Sequence, residues 1–218
     1  MSIRVRYEKE LKDVFGNLVL MCRYIEVAIE KCIKALTDLD FDLAREVCEE
    51  DERIDKMERD IEQSCLKILV MEHPMASDFR EVSAALKMIT DLERIGDQAR
   101  DIAELTIQLG DDGYAHKLIN IPSMATVVTQ MVKDGVQAYI NRDLALARSL
   151  DKTDDKVDEL FRIIMSDLTF LIKTDPSSAE RAIMLMMITK YLERIGDHAI
   201  NIGEWVEYAI TGNHPKKR

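Results

Sequence analysis

The pentapeptide Glu-Arg-Ile-Gly-Asp occurs twice in this chain, at Glu93 to Asp97 and again at Glu193 to Asp197, and it belongs to a longer duplication. Leu43-Ala44-Arg45 aligns with Leu146-Ala147-Arg148, and at that same offset of 103 residues Asp51 and Asp55 align with Asp154 and Asp158. Pro74 matches Pro176 and Ile89-Thr90 matches Ile188-Thr189, and by Glu93 and Glu193 the offset has shortened to 100. Drift of this kind places small length differences in the connections. A chain built from two copies of one pattern folds as two copies of one unit.

The unit is helical. Apolar residues make up 47% of the 218 positions and charged ones 33%, with only eight glycines and four prolines, a mixture suited to amphipathic helices and a sizeable core. Hydrophobic periodicity predicts helices over 8–37, 41–72, 78–109, 122–141, 144–174 and 178–211. Asp40 and Asp143 stand where N-caps belong, Pro74 followed by Ser77 opens the third helix, and Ser177 with Glu180 after Pro176 reads as a capping box. The glycine-rich stretch from Gly110 to Pro122 separates the halves. The expected fold is all-α: two tandem, pseudo-repeated antiparallel three-helix bundles side by side, over residues 1–112 and 113–218, with helices about 45 Å long.

Composition and motifs exclude several functions. With 30 basic against 41 acidic residues the formal charge is -11, which opposes binding to a phosphate backbone, so nucleic acid is not an expected partner. The Lys216-Lys217-Arg218 tail reads as a solvated helix exit. No signal-like apolar run opens the chain, and the densest one, Ile183 to Ile188, is far shorter than the about 20 residues of a membrane span, so a cytoplasmic protein is expected. Cys22, Cys32, Cys48 and Cys65 are scattered singly, as core thiols would be. His73, His116, His198 and His214 form no Glu-x-x-His pattern, and no phosphate loop, nucleophile elbow or zinc-protease motif occurs. A non-enzymatic binding or regulatory role is expected.

The acidic residues carry the chemistry. On the third helix the apolar stripe runs through Phe79, Val82, Leu86, Ile89, Leu92, Gly96, Ala99 and Ala103, while Glu93, Asp97, Asp101 and Glu104 form a second stripe about 100° around the cylinder. The sixth helix repeats this row with Glu193, Asp197, Asn201 and Glu204. Glycine inside a helix costs about 1 kcal/mol relative to alanine, so Gly96 and Gly196 point to close packing or to a site. The pairs Asp51 with Asp55 and Asp154 with Asp158 on the second helix of each half can face these rows. Like charges four apart repel by roughly 0.2 to 0.5 kcal/mol per pair, and ledges of oxygen donors suit hard cations such as Mg²⁺, Mn²⁺ or Fe³⁺. The plain alternative is a solvated acidic surface. Arg94 and Arg194 read as ion-pair partners of a neighbouring helix, Arg80 as part of a solvated first turn, and Met184, Met186 and Met187 as core filling.

The extended motif Ile89-Thr90-Asp91-Leu92-Glu93-Arg94-Ile95-Gly96-Asp97 and its second copy, Ile188-Thr189-Lys190-Tyr191-Leu192-Glu193-Arg194-Ile195-Gly196-Asp197, in a duplicated three-helix chain of this length, resemble the PhoU family of phosphate-signalling regulators. The resemblance covers essentially the full chain. It implies a cytoplasmic negative regulator of the bacterial phosphate-starvation response, set between the ATPase of a phosphate ABC transporter and a phosphate-sensing histidine kinase. It also implies a homodimer that reaches the membrane only through its partners, and multinuclear iron or zinc clusters on the acidic motifs. Carried over by position, the metal candidates are Glu93, Asp97 and Asp101 with Asp51 and Asp55, and Glu193 and Asp197 with Asp154 and Asp158, the metal being iron, zinc, manganese or magnesium. Asn201 departs from the pattern where the first half has Asp101. Two rival readings remain, a metal-free helical adaptor and a metal-dependent phosphate-handling hydrolase.

Overall fold

A computed structural model describes residues 3–71, 75–110 and 120–214, with side chains from residue 5 onward. Among these residues the chain forms six α-helices and one 3-10 turn: α1 (Ile3–Asp38), α2 (Phe41–Met71), α3 (Ala76–Leu109), α4 (Ile121–Asn141), α5 (Leu144–Thr174), the turn Pro176–Ser178, and α6 (Ala179–Thr211). The first helix begins five residues before the periodicity suggests. The expected boundary between halves at residues 112 and 113 lies outside the described residues, as do His73, Pro74, His116 and the Lys216-Lys217-Arg218 tail.

The first connection of each half is built the same way. Leu39 and Arg142, 103 residues apart, both adopt left-handed backbone, with φ of 55° and 54°. The next residue, Asp40 or Asp143, donates its N–H back to the carbonyl of Ala35 or Ala138, at 3.0 and 2.8 Å. Its carboxylate then accepts the N–H of Leu43 or Leu146, at 3.0 and 2.9 Å, and so caps the following helix. Both caps stand where the sequence places them. The capping box at Ser177 and Glu180 does not form. Asp175 takes the role instead, accepting both the N–H of Ser177 at 3.2 Å and its hydroxyl at 2.5 Å, because the chain first makes a 3-10 turn there. No side chain caps α3, whose N-cap position is Met75.

The six helices share one core. α1, α3, α4 and α6 occupy the middle of the molecule, with α3 packed on α6 and α1 on α4, while α2 and α5 lie on opposite outer flanks and do not touch. Both central pairs run antiparallel, so the halves are related by a pseudo-two-fold. Phe15 of α1 meets Tyr139 of α4 edge-on at 5.4 Å between ring centres, and Glu26 pairs with Lys133 at 3.0 Å. The Tyr7 and Tyr139 hydroxyls donate to the carbonyls of Asp78 and Glu81, pinning α1 and α4 to the start of α3. Leu18, Met21 and Ile25 of α1, Met88, Leu92 and Ile95 of α3, Val128 and Met131 of α4, and Leu185, Leu192 and Ile195 of α6 all belong to one continuous buried cluster.

This shared core corrects details of the expected stripes. α3 packs on α1, α2 and α6 at once, so its buried surface extends beyond a single stripe to Ala84, Ala85, Met88, Ile95 and Ile102. Phe79 is exposed instead, in the first turn of α3. On α6 the buried positions are Leu185 and Ile188, and Met187 lies on the surface with Met184 and Met186 only half-buried. Cys22, Cys32 and Cys65 are buried free thiols and Cys48 is half-buried. Burial pushes the Cys22 and Cys65 thiols up to about 12, which keeps them protonated and unreactive.

Candidate functional site

Each acidic row lies in the seam between an outer helix and the central helix it packs on: α2 with α3, and α5 with α6. Glycine makes the seam close. A Cβ placed on Gly96 would lie 3.1 Å from two carbons of Ile54 and 3.5 Å from Oδ1 of Asp51. A Cβ on Gly196 would lie 3.4 Å from Oδ1 of Asp154 and 3.5 Å from Val157. In both halves, then, the missing side chain lets an aspartate of the outer helix descend onto the central one.

In the α2–α3 seam, Asp51 is 6% exposed, a buried carboxylate and not part of an open ledge. It is held by Arg100 of α3, whose Nη1 lies 2.7 Å from Asp51 Oδ2 and 3.2 Å from Asp97 Oδ1. The same guanidinium reaches Asp101 at 3.6 Å and Glu104 at 3.7 Å. One cation thus joins Asp51, Asp97 and Asp101 of the candidate set. Burial raises the pKa of Asp51 above the usual carboxylate value, and the charge and hydrogen bond of Arg100 work against that rise. Burial and the neighbouring Asp97 raise Glu93 as well. Asp55 stands farther out, 3.8 Å from Arg59 on its own helix.

The ion pairs of Arg94 lie along its own helix. Its Nη1 lies 2.9 Å from Asp97 Oδ2 and its Nε 3.4 Å from Glu93 Oε2, because a long, half-exposed side chain can fold back along its own helix surface. Arg80 lies over the C-terminal turn of α6, where a Cβ on Gly212 would stand 3.5 Å from Arg80 Nε.

The α5–α6 seam has no counterpart of Arg100. The matching position is Ile200, half-buried against the core. Among the described residues, no lysine or arginine makes an ion pair with Asp154, Asp158 or Asp197; Lys190 pairs with Glu193 at the outer end and also lies 5.7 Å over the Phe161 ring. Burial pushes Asp154 up to about 6, and the charges of Asp158, Asp197, Glu193 and Asp155 push the same way. Asp197 is raised too, by burial and by Glu193, partly offset by Lys190 and His198.

Between the seams, α3 and α6 cross through two polar contacts. Asp91 Oδ1 accepts from Asn201 Nδ2 at 3.0 Å and lies 2.9 Å from Nδ1 of His198. On the other side of the pseudo-two-fold, burial and the facing charge of Asp101 raise the Tyr191 phenol. Asp91 and Tyr191 are repeat equivalents, and so are Asp101 and Asn201, so the amide at Asn201 is explained by the carboxylate facing it from α3. Asn201 therefore turns toward α3 and away from the α5–α6 row. The sequence reading missed Arg100 and the Asp91–His198 contact. Arg100 was findable: three residues after Asp97 and four before Glu104, it is a charge that the second copy replaces with an apolar residue.

The donors in both rows are oxygens only, the kind taken by hard cations. Among the described residues, no three or more His, Cys, Asp or Glu side chains are drawn into ligand geometry around a common point. What is present in each half is an anionic row around an aspartate set against a glycine: Asp51, buried and paired with Arg100, and Asp154, half-buried and farther from the Lys190 that pairs with Glu193 of its row.

A duplicated helical protein with paired acidic seams and no catalytic constellation among its motifs defines a class, and sequence comparison supplies the family. The PhoU domain matches the chain twice, over residues 18–106 and 121–206. The protein belongs to the PhoU family. A Pseudomonas aeruginosa phosphate-specific transport system accessory protein PhoU homolog is 35% identical over 96% of this chain and 87% of its own length. Its Clostridium acetobutylicum counterpart is 34% identical over 94% of both chains. The crystal structure of PhoU from Pseudomonas aeruginosa superposes with a TM-score of 0.86 at 34% identity, covering 95% of this chain and all of that one. The fold is therefore that of the PhoU family, and the relatives are named as accessory proteins of phosphate transport, not as enzymes.

Proposed function

We propose that this protein is a cytoplasmic, non-enzymatic negative regulator of the phosphate-starvation response, coupling the ATPase of a phosphate ABC transporter to a sensor histidine kinase through protein contacts. The observation that carries this reading is the 35% identity, over 96% of the chain, to a protein named as a phosphate-specific transport system accessory protein. Two features support a contact function. No described helix is long and apolar enough to cross a membrane, so its association with membrane proteins is peripheral. Both hairpin ends also present apolar side chains to solvent: Val70, Met71, Met75 and Phe79 at one end of the molecule, and Phe170 and Ile183 at the other. Exposed apolar groups of this kind mark protein contacts. A homodimer is part of the same proposal.

Regulation by contact requires different affinities for the active and inactive states of a partner, since equal affinity shifts nothing. The acidic rows enter the proposal as metal sites. Asp154, Asp158, Glu193 and Asp197 offer the oxygen donors a hard cation takes, although they are not drawn around a common point. A bound di- or trivalent ion, whether magnesium, manganese, iron or zinc, would supply positive charge to that row. The chain itself holds Asp154 in place through the close approach of α5 to α6. A metal-free adaptor is the second reading, favoured at the α2–α3 row by the guanidinium already there.

The test is co-purification of the tagged protein from phosphate-replete and phosphate-starved cells, with metal content measured on the same sample. Recovery of the transporter ATPase and the kinase, strongest when phosphate is plentiful, is expected. Recovery of neither under either condition would contradict the regulatory reading. Intact recovery by a Glu193→Gln, Asp197→Asn variant stripped of metal would leave the adaptor reading standing without its metal.

A further inference from the structure

The geometry points to a cleft between α3 and α6, walled by an indole, that takes the guanidinium of an arginine on a partner protein. This goes beyond the regulatory reading above and uses none of the residues assigned to metal.

The cleft has a volume of about 460 Å³ and lies where Lys87 and Asp91 of α3 face Glu204 and Trp205 of α6, with His214 along one side. The C-terminal turn of α6 builds that side. Gly212 adopts left-handed backbone, with φ of 77°, which ends the helix, and the hydroxyl of Thr211 accepts the N–H of Asn213 at 3.1 Å. His214 is thereby turned back onto the helix, stacked on Tyr208 at 4.3 Å between ring centres and edge-on to Trp205 at 5.1 Å. Tyr208 meets Trp205 edge-on as well, at 6.1 Å, so packed rings fix the orientation of the indole.

Two separate observations point to a cation as the guest. The Lys87 ammonium stands 6.0 Å over the Trp205 ring, so the indole face already attracts a positive group. Two carboxylates share the cleft with that ring. Asp91 Oδ1 is taken by Asn201 and His198, which fixes the group and leaves Oδ2 with no described partner, and Glu204 makes no ion pair among the described residues. Of the side-chain cations, guanidinium matches this set best, because it lies flat on an aromatic face while its planar N–H fork reaches carboxylates. A chain with a formal charge of -11 also draws a basic partner toward it. The other half gives the contrast: at an offset of 100 residues, Tyr191, Leu105 and Met187 stand for Asp91, Trp205 and Lys87, and neither indole nor ammonium recurs there.

Trp205 is the only tryptophan of the chain, so its fluorescence reports on the cleft directly. The probes are an acetylated and amidated Gly-Arg-Gly peptide, the same peptide with citrulline, the uncharged isostere of arginine, and inorganic phosphate, each titrated into the full chain at constant ionic strength. A saturable change in emission is expected with the arginine peptide alone. Binding should weaken about fivefold in Glu204→Gln and tighten in Lys87→Met, which removes the resident ammonium and installs the residue of the other half. Equal responses to the arginine and citrulline peptides, or no saturable response in either wild type or Lys87→Met, would overturn the inference. A response to phosphate in place of the arginine peptide would also overturn it and make the cleft an anion site at Lys87. So would a response to the arginine peptide that appears only after removal of Lys216 to Arg218, which would make the chain's own tail the occupant.

Discussion

The α2–α3 and α5–α6 seams share a glycine, an aspartate set against it and the Glu-Arg-Ile-Gly-Asp run, yet they meet the same electrostatic problem differently. In the first, burial of Asp51 is answered by a guanidinium 2.7 Å away. In the second, burial of Asp154 goes unanswered, and the carboxyl rises to about 6. The two copies share the anionic frame and differ in counter-charge: one carries a guanidinium beside its aspartate and the other has Ile200 at the matching position.

The largest expected effect comes from deleting the internal cation. Arg100→Ile leaves Asp51 buried and unpaired, which costs about 2 kcal/mol after allowing for the partial exposure of the guanidinium. Urea unfolding at neutral pH measures it. An unchanged midpoint would mean that the first seam does not depend on its arginine.

Alanine at the two glycines should separate the seams next. At Gly196 the new methyl meets its neighbours at ordinary distances, so Gly196→Ala gains up to about 1 kcal/mol of helix propensity. At Gly96 the methyl would stand 3.1 Å from Ile54, and crowding outweighs the gain by about 0.5 kcal/mol, for a difference between the two variants of about 1.5 kcal/mol. Thermal unfolding of the pair side by side reads the difference. Equal shifts would show that the two seams are equally tight.

A smaller effect concerns pH. Asp154 has a folded-state pKa near 6, above its ordinary value of 3.8. Between those values the folded state keeps a proton that the unfolded chain has released, so stability falls as pH rises through that window and is flat above it. Asp154→Asn removes the dependence and should raise stability at pH 7 by about 1 kcal/mol, discounted for solvent screening, with no gain below about pH 4. Denaturant midpoints of the two proteins across that range test the sign. Smallest of all, Asn201→Asp places a second carboxylate against Asp91, and a loss of about 0.5 kcal/mol is expected at neutral pH, visible as a small drop in melting temperature. A rise would mean that the Asn201–Asp91 hydrogen bond is not formed in solution.

Much of the fold was legible because duplication and periodicity are local properties. The helix limits, the caps at Asp40 and Asp143, and the pairing of α2 with α3 and of α5 with α6 all follow from spacing and from residues next to one another in the chain. The fusion of the halves into one core was not legible. Whether a helix face such as Ala84, Ala85 and Met88 meets water or another helix is decided by the other half of the chain, and no pattern within α3 records it. The acidic row was legible as a row, since its members lie four apart. Its counter-charge was legible only in part: Arg100 stands out as the charge that the second copy replaces with Ile200, but its partner Asp51 lies 49 residues away in the sequence. In sequence Asn201 reads as a weakened ligand, and the carboxylate of Asp91 that faces it from α3 accounts for its amide.

The most direct test of this asymmetry is anomalous scattering from crystals of the wild-type protein grown with Mn²⁺. A peak among Asp154, Asp158, Glu193 and Asp197, with Arg100 still seated on Asp51 and no peak in the α2–α3 seam, is the predicted result. Peaks of equal height in both seams, with the guanidinium swung out to solvent, would contradict it.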